Sequence, residues 1–215
     1  MDTGTIIAIA VIGSIVAISV LIAFGLERRA RWRLTRHFRE LERVLDAGTA
    51  NLWPGPEMNG SFHGRQLHAY RRTETVGFTA RGGTNGKTIF QFACSTPLEL
   101  TMFTFPQWPL LAELLRLPSP RVVTGDPNLD RSYGFATLDL ERFGPWVSQP
   151  ENAKAALSLM SLLPPSRRQR FRVRVDGRLE LNMPEYLYFK MEPEKVKLVL
   201  EALDNFAGKL EQVKE

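Results

Sequence analysis

The sequence predicts an α+β protein carried on one N-terminal transmembrane helix, followed by an antiparallel-rich sheet with helices packed on one face and a long closing C-terminal helix. Three observations lead there. Residues 3–26 contain no charged side chain. Short runs rich in β-branched and aromatic residues, punctuated by glycine and proline, crowd the region after about residue 56. Residues 193–210 then place Val196, Val199, Leu200, Leu203, Phe206 and Leu210 at helical spacing over a broad face. Early strands, inserted helices and a closing helix give a layer of helices on one side of a sheet.

The first element is argued from length. The 20 residues 5–24 read TIIAIAVIGSIVAISVLIAF, and at about 1.5 Å per residue they cover the roughly 30 Å of a bilayer's hydrocarbon core. A cleaved signal peptide wants a basic start, a shorter apolar stretch and a small-residue cleavage site. This chain begins Met1-Asp2-Thr3-Gly4, and its apolar run leads directly into arginines, so an uncleaved anchor is expected. No Lys or Arg precedes the run, whereas Arg28, Arg29, Arg31, Arg33, Arg36 and Arg39 follow it. The positive-inside rule then places the N-terminus outside and the C-terminal domain in the cytoplasm, as a single-pass protein of the cell membrane. The pairs Ala10 with Ser14 and Gly13 with Ala17 are ordinary small residues of a membrane helix.

The next segment divides the chain: residues 1–26 as anchor, 27–55 as basic juxtamembrane helix and linker, 56–215 as cytoplasmic α+β domain. Leu34, Phe38, Leu41 and Leu45 fall on one helical face that Gly48 can terminate. That face is expected to pack on the domain or a sister chain rather than lie on anionic headgroups, and because Glu40, Glu42 and Asp46 dilute the charge toward the far end, only the first turns look suited to phosphate contact. Asn51 to Asn59, with Pro54, Gly55 and Pro56, reads as a linker. The chain of 215 residues, 44% hydrophobic and 24% charged, is long enough for one core beyond the anchor. Its lone cysteine, Cys94, excludes an intrachain disulfide and reads as a small core residue.

Strands are expected over 65–72, 88–94, 98–105 and 171–181, with shorter ones over 121–123 and around 132–138, and helices over 109–117 and 152–163. Register follows from chemistry in one place. Pairing Val175 with Leu179 around Asp176-Gly177-Arg178 sets Val173 against Leu181 on the core face and Arg174 against Glu180 outside. A two-residue turn would mix the faces, so a three-residue connection or a bulge is expected.

Motifs that suggest chemistry mostly dissolve. Residues 81–88, RGGTNGKT, resemble the second half of a phosphate-binding loop. They lack its first glycine and run into the strand-like IFQFAC, where a helix would have to begin. Asp126 and Asp130 lie in a turn-rich polar stretch, where a paired-carboxylate or metal role needs a third group that nothing nearby supplies. His63 and His68 are placed on opposite strand faces, so no metal site is expected. No cofactor is implied, since neither a G-x-S-x-G elbow nor a G-x-G-x-x-G fingerprint occurs. Asn59-Gly60-Ser61 is a chance glycosylation match in a cytoplasmic domain. Arg170, Arg172 and Arg174 alternate with apolar residues, giving a guanidinium strand face that is either a solvated exterior or a contact for anionic lipid. Nucleic acid is disfavoured, because the net charge is only +5 and much of the excess belongs to the topology signal.

The run Gly60-Ser61-Phe62-His63-Gly64-Arg65, the later Thr124-Gly125-Asp126 with Asp130, and the leucine-rich closing helix together resemble small bacterial single-pass membrane-anchored proteins of uncharacterised function over residues 56–210. The resemblance implies placement at a membrane and carries no activity to named residues. The sequence thus points to a membrane-tethered cytoplasmic interaction or assembly module that binds a protein partner or itself. The alternatives are a membrane-associated enzyme with a site near Asp126 and Asp130, or a domain contacting anionic lipid through Arg170, Arg172 and Arg174.

Overall fold

The computed structural model describes residues 3–45, 49–51, 56–74, 85–104, 121–122, 124, 127, 130, 133–137, 139–163 and 172–213. It is an α+β protein with one N-terminal helix long and apolar enough to cross a membrane. That helix, α1 (Thr3–Leu45), runs unbroken for 43 residues. Its large apolar side chains from Ile7 to Leu26 are 52–69% exposed, a surface that lipid or another protein would cover favourably.

The second half of α1 belongs to the core. Leu34, Phe38 and Leu41 are at most 1% exposed and Leu45 is 7% exposed, in one cluster with the sheet and the C-terminal helix. The expected face of that helix therefore packs on its own domain.

Among the described residues nine strands form one sheet of order β1-β2-β3-β4-β9-β8-β5-β7-β6. In chain order they are β1 (Thr49–Asn51), β2 (Glu57–Phe62), β3 (Arg65–Glu74), β4 (Asn85–Ala93), β5 (Leu100–Thr104), β6 (Arg121–Val122), β7 (Tyr133–Ala136), β8 (Arg172–Val175) and β9 (Arg178–Pro184). Every pairing is antiparallel. The linker expected over 51–59 is strand at Asn51 and over 57–59, with 52–55 outside the described residues: Thr49, Ala50 and Asn51 pair with Asn59, Met58 and Glu57. Pro54 and Gly55 dominated the sequence reading, yet Met58 and Phe62 alternate inward and are buried, which is what decides a strand's place. A two-residue turn, His63-Gly64, joins β2 to β3 with φ of +49° and +83°, the left-handed pair that hairpin turns favour.

The β8–β9 hairpin has the expected register. Val175 pairs with Leu179, Arg174 with Glu180 and Val173 with Leu181, leaving Asp176, Gly177 and Arg178 between the last paired residues. Gly177 has φ of +62°, and Arg178 extends β9 by pairing with Ala93 of β4.

The described helices join one face of the sheet. These are α2 (Leu140–Val147), α3 (Pro150–Leu162), α4 (Glu185–Tyr188) and α5 (Pro193–Leu210). α2 is capped by Asp139, whose side chain accepts the Arg142 N–H at 3.1 Å. α5 buries all six expected residues and Ala207 as well. Trp146 of α2 joins that layer by donating from Nε1 to the Lys209 carbonyl at 3.1 Å and meeting Phe206 edge-on. The helix expected over 109–117 lies outside the described residues.

Candidate functional site

The end of the sheet nearest the apolar span is built around one guanidinium. Arg71 follows Leu67 and Ala69 on the core side of β3, and its side chain is only 8% exposed. Its Nη1 donates to Glu27, the first charged residue after the apolar run. Its Nε donates to Glu185 Oε2 at 3.2 Å and lies 3.1 Å from Oε1, which accepts no hydrogen bond among the described residues. Burial pushes the Glu185 carboxyl above the usual range; the Arg71 charge and hydrogen bond offset part of this, and Glu27 adds to it. The carboxylate fits because Gly86 has no side chain: a Cβ there would stand 1.7 Å from Glu185 Oε2. This clamp ties α1, β3 and α4 together against β4, at the end of the domain nearest the apolar half of α1.

A second clamp closes the far end. Arg65 donates to both Glu211 oxygens at 2.5 and 2.6 Å and to Asp204 at 2.6 Å, fastening the start of β3 to α5. Asp204 also meets His63 Nδ1 at 3.0 Å. Hydrogen bonds from Arg65 hold the Glu211 carboxyl below the usual range, against the effect of burial.

The face turned away from the helices carries a polar groove of about 520 Å³. Tyr70 is its centre: His68 stacks on the ring at 4.8 Å, and Arg72 donates to the phenolic oxygen at 2.9 Å. Glu180 faces them, accepting from Gln91 at 3.2 Å and Asn182 at 2.9 Å, with Arg72 3.6 Å away. Alternation generates this face, since 68, 70 and 72 of β3 point opposite to 67, 69 and 71.

The sequence-expected site residues are scattered. Arg174 lies exposed on the groove face, paired with Asp176 at 2.5 Å and opposite Glu180. Arg172 is opposite Asn182 in the ladder, while Arg170 lies outside the described residues. Arg174 sits three residues further along the sheet than the Arg71–Thr88–Met183 rung, about 10 Å from the clamped end. Asp130 Oδ1 accepts from the Thr124 N–H at 2.9 Å and hydroxyl at 3.0 Å, organising its own turn; Asp126 is outside the described residues. Lys87 and Thr88 fall within β4, where a phosphate-binding loop would need a helix. His63 and His68 serve the far clamp and the groove respectively. Among the described residues no group of three or more His, Cys, Asp or Glu side chains is placed to hold a metal. Cys94 is buried, and that burial, reinforced by Glu211, pushes its thiol up to about 11, which leaves little thiolate at neutral pH.

Sequence reasoning missed the Glu27–Arg71–Glu185 clamp entirely. Its members are 44 and 114 residues apart, and each alone reads as surface charge. The one available signal was an arginine at an inward position of an alternating strand.

Fold and site together define an α+β protein on a long N-terminal helix, with a polar sheet face that no helix covers among the described residues. No family model, curated protein or solved structure matches the chain.

Proposed function

We propose that this chain is a membrane-mounted interaction module, in which α1 is at once the membrane span and part of the domain core. The carrying observation is the burial of Leu34, Phe38, Leu41 and Leu45 on a helix continuous with the apolar span. A helix seated in the core transmits orientation, as a flexible linker does not. The groove face around Tyr70 and Glu180 is then held toward a protein partner at a set height and angle. The arginines after residue 27 support a cytoplasmic domain with the N-terminus outside, in the cell membrane.

The reading is tested by placing a photoreactive side chain at Gln91 on the groove face, or at the exposed Leu198 on α5, in the full-length protein in its membrane. We expect a discrete protein adduct from Gln91, weakened by Arg72→Ala and Glu180→Ala, and none from Leu198. Equal or absent adducts at both positions would remove the groove face from the account.

A further inference from the structure

The outward side of α1 just beyond the apolar run differs in kind from its core side. Taking Leu34 as the buried direction and about 100° per residue, Arg28, Arg29, Trp32 and Arg36 all point within roughly 70° of the opposite direction. All four are exposed, Trp32 by 63% and the Arg36 side chain by 65%. Arg28 and Arg29 have no carboxylate partner among the described residues, whereas Arg31 is paired with Glu27 and Arg36 with Glu40.

Depth follows from helix geometry. The 24 charge-free residues 3–26 span about 36 Å, more than the roughly 30 Å hydrocarbon core, so the helix tilts or its ends enter the headgroup layer. Arg28 and Arg29 then lie at headgroup depth, Trp32, about 9 Å past Leu26, at or near its outer part, and Arg36, about 15 Å past Leu26 and paired with Glu40, beyond it. An indole bared to water is poorly placed, whereas one at a bilayer interface buries its ring and keeps its N–H wet. The strand arginines do not share this position, because Arg174 is displaced toward the far end of the sheet and paired with Asp176.

We propose that Arg28, Arg29 and Trp32 form a collar that binds the phosphate groups of anionic phospholipids in the leaflet α1 enters. The arginines supply charge-assisted hydrogen bonds to phosphate oxygens, and Trp32 fixes the depth at which they act. This rests on the reading of α1 as a membrane span, and it names the lipid partner of that span.

The test uses the full-length protein in nanodiscs carrying spin-labelled phosphatidylglycerol or phosphatidylcholine. We expect a several-fold preference for phosphatidylglycerol that falls toward unity in the double variant Arg28→Gln, Arg29→Gln, weakens with salt, and persists in Arg174→Gln. The emission difference between the wild type and Trp32→Phe should be quenched by lipid brominated near the headgroup. Equal association of both lipids with the wild type, a preference that survives the double variant, one that is lost in Arg174→Gln, or a Trp32 signal blind to the brominated lipid would each overturn the collar. The wild-type comparison needs no variant, so a misfolded mutant does not shield the proposal. Release of the protein by alkaline carbonate would instead overturn the membrane span itself.

Discussion

At Glu185 and Glu211 the same residue type meets opposite environments, and pH separates them. Glu185 is buried with its pKa raised above the ordinary 4.5. In the folded state it therefore keeps its proton longer than in the unfolded chain, and stability present below pH 4.5 is lost as pH rises through the folded value. Glu211 is held below 4.5 by Arg65, so its contribution is present above 4.5 and is lost as pH falls through the folded value. Chemical unfolding of the full chain in micelles across this range should show the wild type losing ground to Glu185→Gln with rising pH and gaining on Glu211→Gln. Parallel curves for the wild type and both variants would contradict the assigned environments. Gly86 offers a steric test of the first clamp. In Gly86→Ala the new methyl occupies the place of Glu185 Oε2, so the carboxylate must leave Arg71, at a cost of about 1.5–3 kcal/mol for a charged hydrogen bond. That cost should vanish in an Glu185→Ala background, and a double-mutant cycle reads the coupling.

Among the elements, α1 is the one whose role changed most between sequence and structure. Its apolar face, Leu34 to Leu45, was legible from spacing alone, but spacing does not say which neighbour a face meets. Phe38, with no exposed surface and its ring 6.1 Å from Tyr188, should cost about 3–5 kcal/mol when cut to alanine. Trp32→Ala, one and a half turns earlier and exposed, should stay within about 0.5 kcal/mol. A chain beginning at residue 49 loses four core side chains worth about 2–5 kcal/mol each, comparable with the whole 5–15 kcal/mol of a typical domain. It should not fold, whereas one beginning at residue 27 should; circular dichroism and protease resistance decide. The β8–β9 register was readable because hydrophobic and charged positions agreed on a single pairing. α2 was not, because Gly144 and Pro145 interrupt its pattern and its start depends on the cap at Asp139. The four-residue α4 is too short to show a period. The clamp and the groove were illegible for a further reason: the clamp joins one strand to two helices far apart in the chain, and the groove is assembled across strands whose order in space is not their order in the chain.

On the scale of the whole molecule, the proposed reading of α1 as a membrane span makes the domain's attitude to the bilayer a property of the fold. On that reading lipid fixes the apolar half of α1, the core fixes the other half, and Arg71 fastens the junction between them through Glu27 and Glu185. Nothing in α1 between Thr3 and Leu45 interrupts the helical hydrogen bonding, so rotation of the span is rotation of the sheet. Spin labels at Ser14 in the span and Arg178 at the free sheet face, both exposed and introduced as Ser14→Cys and Arg178→Cys in a Cys94→Ala background, should give one narrow distance distribution in nanodiscs. Inserting a single alanine after Ala30 turns the span by about 100° and shifts it about 1.5 Å. The distribution should then move while staying narrow, because both halves of the helix remain seated. A Pro-Gly insertion at the same place breaks the helix and should broaden it. A wild-type distribution already as broad as that of the Pro-Gly variant would mean that the domain hangs from its anchor rather than standing on it, and the case for a fixed sheet face would be lost.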